Sequence, residues 1–240
     1  MKILYKQYLG DYNEIPNDAY IFGDELITSE NDKYTMDNSY CFEVNIINKI
    51  IENDERYFDF SKSMIDIGSE YGEYSYILPF NYSYLFDGNK DKCIIAQFNM
   101  LLHNKSNQFT YYNTLLSDKI ENVQYNGFHT NYTDFIKNGE YNYLLNDSIN
   151  IQSTILDSYN LNDIGFIKID VEGMEEKVLR GGLGTIIRNN YPPILFELWD
   201  VGYYGMTKEK HDSLQNFLES FGYEILWHWG DYETHLAIHK

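Results

Sequence analysis

A short glycine turn is the feature of this sequence that most constrains its fold. Met64–Ile67 is an apolar run broken by one acid, Gly68 ends it, and Gly72 begins a segment that can be helical as far as Pro79. A strand, a tight glycine turn and a helix start form the usual front edge of a nucleotide-type pocket in an α/β sheet. Because glycine lacks a Cβ atom, backbone and ligand can approach each other closely there. The stretch therefore predicts a ligand pocket at the end of a parallel strand.

The acids of this turn indicate which kind of ligand it can hold. Asp66 precedes the turn, and Glu70 lies inside it between the two glycines. At an effective dielectric constant of about 20, two carboxylates would repel a pyrophosphate by roughly a few kcal/mol, which argues against a dinucleotide site. The same carboxylates suit a ligand that carries a ribose and an ammonium or sulfonium group, such as S-adenosylmethionine. The alternative is an ordinary βα turn with solvated acids.

Composition limits the size of the fold and the kinds of partner. With 240 residues, of which 43% are hydrophobic, the chain can form one sizeable core, or one domain with an extension. Its net charge is −19 and its sequence contains no basic stripe. We therefore expect neither nucleic acid nor an anionic membrane surface as a partner.

Cysteine usage and the N-terminal sequence favour a cytoplasmic location. Cys41 and Cys93 form no metal or redox spacing, and a buried reduced pair is typical of a cytosolic protein. The first residues contain no long apolar segment of the kind found in a signal peptide. No run of about 18 apolar residues is present, so no membrane span is predicted.

Hydrophobic spacing predicts alternating strands and helices after an N-terminal region, residues 1–39, in which short strands or an irregular cap are expected. The predicted helices are Tyr40–Asn53, Cys93–Leu102, Met174–Asn189 and Thr207–Phe221. The predicted strands are Met64–Ile67, Tyr82–Phe86, Tyr111–Leu116, Phe166–Ile169, Ile194–Phe196, Tyr223–Trp229 and His235–His239. A hairpin or lid is expected over Glu121–Ile151, and a kink or break in the third helix at Gly181-Gly182. The alternation predicts a doubly wound, mostly parallel sheet whose last pair is antiparallel.

Polar side chains stand at or near the ends of these strands, where ligands bind in such sheets. They are Asp66, Asp87, Ser117, Asp170 and Glu197. Asp87 lies about 20 residues after the glycine turn and can accept hydrogen bonds from both ribose hydroxyls, although aspartate before glycine is also common in turns. A polar side chain at Ser117-Asp118 can meet an adenine edge.

The segment around Asp170 offers groups for acid–base chemistry. Lys168 and Asp170 are two positions apart, so both lie on one face of a regular strand. Asp170 and Glu172 can face an acceptor, but acids at this position can equally favour a helix N-terminus. Glu175 could form a metal site with Asp170 and Glu197, since oxygen clusters suit Mg²⁺ or Ca²⁺. A divalent metal is an alternative here and is not predicted.

Four segments together resemble the FkbM-type methyltransferase family. Met64–Leu78 is similar to its donor-binding motif. Ile167–Glu175, which contains Lys-Ile-Asp-Val-Glu-Gly, is similar to the most specific signature of the family. Pro193–Glu197 and Thr154–Asp157 resemble two neighbouring segments. The resemblance covers about residues 43–239.

The resemblance implies a fold, a donor and a reaction. The fold is that of a class I methyltransferase: a Rossmann-like, seven-stranded, mostly parallel sheet with helices on both faces and an antiparallel C-terminal hairpin. The donor is S-adenosyl-L-methionine, and the acceptor is usually an oxygen, often on a sugar or polyketide. Residues 1–39 are then an N-terminal extension or cap, and residues 40–240 form the methyltransferase domain. Ser69-Glu70 and Asp87-Gly88 replace the Ala-Asn and Glu-Pro common in the family, but keep hydrogen-bonding capacity.

On this basis we assign each candidate residue a role. The methionine part of the donor is predicted to contact Asp66, Gly68, Ser69 and Gly72, and the exact contact of Glu70 is left open. The ribose is assigned to Asp87, and the adenine side to Ser117 and Asp118. Asp170 and Glu172 would face the acceptor hydroxyl, one of them as general base. Lys168 either keeps Asp170 ionised or points away from it.

The leading hypothesis is therefore an O-methyltransferase that acts on a small molecule or glycan. One alternative is a degenerate fold that binds the donor or a partner without turnover. A second is ribose methylation of RNA, which the acidic surface disfavours. A dehydrogenase is least favoured, because Glu70 occupies the phosphate approach. A homo-oligomer is compatible with the sequence.

Overall fold

The computed structural model describes residues 20–22, 25–27, 42–103, 105, 107–125, 149–203, 205–229 and 231–240. The strands are β1 (Tyr20–Phe22), β2 (Glu25–Ile27), β3 (Ser63–Ile67), β4 (Tyr82–Asp87), β5 (Phe109–Asn113), β6 (Leu115–Leu116), β7 (Asn122–Tyr125), β8 (Ile149–Thr154), β9 (Ile164–Ile169), β10 (Ile194–Glu197), β11 (Tyr223–Leu226) and β12 (Thr234–His239). The helices are α1 (Phe42–Glu52), α2 (Asp54–Tyr57), α3 (Glu73–Ile77), α4 (Lys90–Leu102), α5 (Glu175–Gly181), α6 (Leu183–Arg188) and α7 (Lys208–Ser220), with a 3-10 helix at Leu156–Tyr159.

The central sheet has seven strands in the order β11-β12-β10-β9-β3-β4-β5. β3 pairs in parallel with both β4 and β9, whereas β12 runs antiparallel to its neighbours β10 and β11. This confirms the predicted doubly wound sheet with an antiparallel C-terminal hairpin. The strand order reverses between β3 and β9, and a crevice for ligands forms at such a switch point, beyond the carboxyl ends of the strands.

Side chains of β3 alternate between two apolar layers, one on each face of the sheet. Ile65 and Ile67 belong to the layer that contains α5, and Met64 belongs to the layer that contains α1. β9 has the same alternation, with Ile167 and Ile169 facing the first layer and Phe166 facing the second. Each fully buried side chain of this size contributes about 1.5–3 kcal/mol. The two-residue period therefore fixes which strand residues point towards α1.

The third predicted strand differs most from the observed one. The prediction was Tyr111–Leu116, but β5 ends at Asn113 and residues 115–116 pair with β8 in a separate sheet. The reason is local, since the Asn113 side chain and the Thr114 backbone N–H both donate to the carbonyl of Asp87. These bonds turn the chain away from the central sheet, so Thr114 takes the strand-end position.

The predicted break in the third helix is present, because Gly182 separates α5 from α6. At the preceding position, a Cβ on Gly181 would lie 2.0 Å from the carbonyl oxygen of Ser117, so only glycine allows this approach. The second helix, α6, receives no side-chain hydrogen bond from its N-cap residue, Gly182. Instead the Asp157 carboxylate accepts from the backbone N–H groups of Gly184 at 2.9 Å and Thr185 at 2.6 Å. A distant side chain thus satisfies the open N-terminus of α6.

Two sequence predictions fall largely outside the described residues. Of the N-terminal region 1–39, only the strand pair β1–β2 is described. Of the hairpin or lid predicted over Glu121–Ile151, the antiparallel strands β7 and β8 are described, and residues 126–148 are not. Within the described ranges, no helix has both the length and the apolar character needed to span a bilayer.

Candidate active site

A cleft opens at the carboxyl ends of β3, β4 and β9, where the strand order reverses. Its floor is formed by apolar side chains, including Ile67 and Phe86. Ionisable side chains on its wall are Glu70, Asp87, Lys92, Asp170, Glu172 and Glu197. The glycine turn and the Lys168–Glu172 segment therefore meet in one cleft, as the sequence predicted, and acids predominate on its wall.

Gly68 holds these two segments together. Its φ of 68° lies in the left-handed region, and its N–H donates to the carbonyl of Phe86 at 2.9 Å. A Cβ at this position would lie 1.6 Å from the carbonyl oxygen of Asp170. Glycine is thus required both by the backbone conformation and by the close approach of the β9 end. Gly72 also has a positive φ, 83°, and precedes α3.

Asp87, which the sequence analysis assigned to the ribose, lies on the cleft wall. It is 8% exposed, and its carboxylate accepts from the backbone N–H groups of Glu70 at 3.1 Å and Asn89 at 2.7 Å. Each oxygen keeps a further lone pair for a ligand hydroxyl. Burial raises the pKa of Asp87 to about 6, while the two N–H donors and nearby Lys92 act in the opposite direction.

Glu70 is paired with Lys92, which the sequence analysis did not identify. The buried Lys92 ammonium donates to the partly exposed Glu70 carboxylate. Glu70 has a φ of 43°, in the left-handed region that residues with a Cβ rarely adopt. The pair partly neutralises the acid that lies inside this turn. The available signal was the position of Lys92 in the first turn of the helix that follows Asp87.

Asp66, Lys168 and Asp170 form a chain of charges that runs from beneath the cleft to its wall. The Lys168 ammonium donates to the carbonyl of Gly68 at 2.8 Å and lies 3.4 Å from Asp170 and 3.8 Å from Asp66. Asp66 is 1% exposed and also accepts a hydrogen bond from Ser75. Burial raises the pKa of Asp66, and it outweighs the opposing effects of the ammonium and the hydroxyl. Lys168 therefore points towards Asp170 and fixes its orientation.

The turn after β9 directs Glu172 towards the cleft. Glu172 and Gly173 both have a positive φ, 57° and 88°. The buried carboxylate of Glu175 accepts from the backbone N–H groups of Val171 at 3.1 Å and Gly173 at 3.2 Å. Glu175 therefore satisfies the N–H groups of this turn, which leaves Asp170 and Glu172 on the cleft wall instead of capping α5.

Burial raises the pKa values of two carboxyl groups in this turn. The pKa of Glu172 rises to about 8 through burial and then the charges of Asp170 and Glu175. That of Glu175 rises to about 7, mainly through burial. Both pKa values therefore lie close to neutral pH, where binding of a ligand or a change in exposure to solvent changes the protonation of these carboxyl groups.

These shifts predict that the ligand-free protein loses stability as the pH rises. A carboxyl group whose folded pKa exceeds its unfolded value contributes stability below the unfolded pKa, and loses it as the pH rises through the folded pKa. For Glu172 this window runs from 4.5 to about 8. We expect the melting temperature to fall across it, and the Glu172→Gln variant to fall less steeply, because glutamine does not ionise. Parallel slopes of wild type and variant in thermal scans would contradict this.

Several residues assigned to the donor do not line the cleft. Asp66 lies beneath it, and the buried Ser69 hydroxyl lies 3.0 Å from that of Tyr111. Gly72, Ser117 and Asp118 also lie away from its wall, and the Ser117 hydroxyl donates to Asp118. At the end of β5 the cleft is instead bordered by Thr114, with Tyr125 beside it. The absence of Ser117 and Asp118 from the wall and the presence of Thr114 both follow from the early end of β5, which local hydrophobic spacing did not reveal.

No group of three or more candidate metal-binding side chains with suitable geometry occurs in the part of the chain that the structure describes. Glu197, which the sequence analysis placed at a strand end and named as a possible metal ligand, lines the cleft. Its pKa is raised well above the usual value by burial, with further contributions from Asp170 and Glu175.

The sheet and its acid-lined cleft have the architecture of a class I methyltransferase. The methyltransferase FkbM domain matches residues 50–225, which is more than half of the chain. The protein therefore belongs to the FkbM methyltransferase family, as the sequence resemblance predicted.

Two solved structures support the fold. The chain is similar to methyltransferase FkbM from Methylobacillus flagellatus KT, with a TM-score of 0.53 and 19% identity over 76% of this chain. It spans 44% of the length of that protein. It is also similar to ribosomal protein L11 methylase from Lactobacillus delbrueckii subsp. bulgaricus, with a TM-score of 0.50, 10% identity, and coverage of 84% of this chain and 80% of that one. No curated protein matches the chain.

Proposed function

We propose that this methyltransferase uses S-adenosyl-L-methionine to methylate a hydroxyl group of a sugar, glycan or other small molecule. The observation that carries the proposal is the meeting of the Gly68 turn, Asp87 and Asp170 in one cleft. These groups suit an adenosyl sulfonium compound, because a ribose needs hydrogen-bond acceptors and a positive charge gains from nearby carboxylates.

The cleft offers separate groups for separate parts of this donor. Asp87 is available to the ribose hydroxyls through lone pairs that its two backbone donors leave free. The Gly68 turn lets the donor lie close to the main chain, because no Cβ intervenes. Asp170 brings negative charge to the side of the cleft next to the β9 end, and the Glu172 carboxyl group lies on the same wall. When bound, the donor supplies a methyl group on a positively charged sulfur.

Asp170 is the residue that we assign as general base. Its carboxylate accepts the proton of the acceptor hydroxyl as the oxygen–methyl bond forms and the sulfur–methyl bond breaks. Lys168 orients this carboxylate from 3.4 Å away and is itself fixed by the Gly68 carbonyl. Because the same carbonyl belongs to the donor turn, base and donor are held in a common frame, which favours in-line transfer.

Asp170→Asn is expected to lower turnover by about 100-fold or more while leaving the dissociation constant for S-adenosylmethionine within about threefold, since a positioned base contributes 10²–10⁴ in rate. The measurement combines calorimetry with S-adenosylmethionine and an end-point assay for S-adenosylhomocysteine across candidate sugars. Asp212→Asn is the matched control, because Asp212 is an exposed partner of Lys208 on α7. Full turnover by Asp170→Asn with intact donor binding would remove Asp170 from the mechanism.

A further inference from the structure

A second cavity adjoins the donor cleft at the ends of β9 and β10. Its wall includes Lys168, Asp231, Glu233 and Thr234. Asp170 and Glu197 line both this cavity and the donor cleft. The two spaces are therefore separated only by side chains at the strand ends, and the proposed base lies on their common border.

Glu197 stands at the border between the cavity and the donor cleft. Its side chain is partly buried, and within the described residues its carboxyl group has no hydrogen-bond partner. A carboxyl group removed from water gains from a ligand that supplies an O–H or N–H donor, because an unsatisfied group retains its full desolvation cost. Glu197 thus points to a ligand with donors at the junction of the two spaces.

The charges of the cavity exclude an anionic ligand. Asp170, Glu197, Asp231 and Glu233 all line it. The lining ammonium, that of Lys168, is already shared between Asp66 and Asp170. A phosphate or carboxylate placed among these acids would be repelled, whereas hydroxyl groups can donate hydrogen bonds to their oxygens.

An exposed aromatic side chain stands next to two of the cavity-lining residues in the sequence. Tyr232 lies between the lining residues Asp231 and Glu233 and is 66% exposed. His228 stacks on it with ring centroids 5.1 Å apart, and a ring nitrogen of His228 lies 2.7 Å from the backbone carbonyl oxygen of Tyr232. The ring is therefore held in place on one side and open on the other. Such a platform offers a large apolar area at low cost in conformational entropy, and suits the flat C–H face of a sugar ring.

We infer that the second cavity is the acceptor site, and that it takes a polyhydroxylated ring without negative charge, with Glu197 binding hydroxyl groups next to the reacting one and Tyr232 packing on the ring. This inference rests on the proposed function and makes it more specific. It assigns the choice of acceptor to the strand ends of β10 and to the β11–β12 connection, and the donor to the other side of Asp170.

The test compares three forms of the same sugars. The probes are methyl glycosides of glucose, mannose and galactose, their 2-amino-2-deoxy forms and their 6-phosphates, each supplied with S-adenosylmethionine. The rate of S-adenosylhomocysteine formation is measured for wild type, Glu197→Gln, Glu233→Gln and Tyr232→Ala, and donor affinity is measured by calorimetry. Glu224→Gln is the control, because Glu224 lies on β11 and pairs with Lys240. Tyr232 is exposed, so its truncation tests the site without removing a core side chain.

We expect turnover of at least one neutral or amino sugar and at least 100-fold less of its 6-phosphate. Glu197→Gln should lower kcat/KM by at least tenfold, and Tyr232→Ala should raise KM by about tenfold with kcat within threefold. Glu224→Gln and every donor affinity should stay within threefold of wild type. If wild type binds the donor, three outcomes would overturn this inference alone. They are a preference for the phosphorylated sugars, no methylation of any sugar, and unchanged kinetics in Glu197→Gln and Tyr232→Ala. Absence of donor binding by wild type would overturn the proposed function as well.

Discussion

Gly68→Ala is expected to destabilise the protein by about 4 kcal/mol or more, the range reached when a substitution forces a backbone clash. The new Cβ would lie 1.6 Å from the Asp170 carbonyl oxygen, which is backbone and cannot rotate away. The substitution also places alanine at a φ of 68°, a region that residues with a Cβ rarely adopt. Because the clash separates the donor turn from the β9 end, donor binding should be lost together with stability. Chemical unfolding and calorimetry measure the two effects.

Gly202→Ala provides the matched control for this substitution. Gly202 also has a positive φ, 99°, but a Cβ there would meet nothing within 4 Å. It therefore isolates backbone strain, worth about 1–3 kcal/mol, from the collision with Asp170. If Gly68→Ala lowers the free energy of unfolding no more than Gly202→Ala does, the close packing of the donor turn against the β9 end is contradicted.

Lys168→Met is expected to lower the free energy of unfolding by about 3–5 kcal/mol, since removal of one partner leaves a buried charge without compensation. The ammonium serves Asp66, Asp170 and the Gly68 carbonyl at once. Asp66, at 1% exposure, has no access to water that could replace it. Urea unfolding at neutral pH measures the loss.

A double variant separates this charge effect from loss of packing. Asp66→Asn in the Lys168→Met background removes the uncompensated acid, so we expect it to recover part of the lost stability. Lys62→Met is the surface control, because the pair that Lys62 forms with Asp59 is exposed and worth at most about 1 kcal/mol. Equal stability of Lys168→Met and wild type, or no recovery in the double variant, would show that the buried charges are not coupled.

The sequence contained enough local information to predict the sheet and the meeting of its two key segments. Gly68 and the Lys168–Glu172 segment stand directly at the ends of buried strands, so their positions follow from strand period and sheet topology. Their two-residue spacing also placed Lys168 and Asp170 on one face of the strand, but it left open whether Lys168 points towards Asp170 or away from it. In these cases the two-residue period of a strand predicts which face of the sheet a residue occupies, and the face determines which residues it contacts.

Other parts of the site depend on contacts between distant segments, which local patterns do not encode. Lys92 lies 22 positions from Glu70, and its place in the first turn of its helix does not by itself show that it pairs with the glycine turn. The early end of β5 depends on bonds from Asn113 and Thr114 to Asp87. Asp66 was predicted to contact the donor, but the register of β3 and β9 places it beside Lys168, beneath the cleft. Such features require the three-dimensional neighbours to be known.

The most direct test of the account is calorimetric titration of the wild-type protein with S-adenosylmethionine. We predict one binding site per chain with a dissociation constant below about 100 µM, and a weakening of at least tenfold, or about 1.4 kcal/mol, in Asp87→Asn. Ser61→Ala, which changes a surface serine bonded to Asp59, should bind as wild type does. Absence of saturable binding by wild type up to about 1 mM ligand, or equal affinity in Asp87→Asn, would contradict the claim that this cleft holds an adenosyl methyl donor.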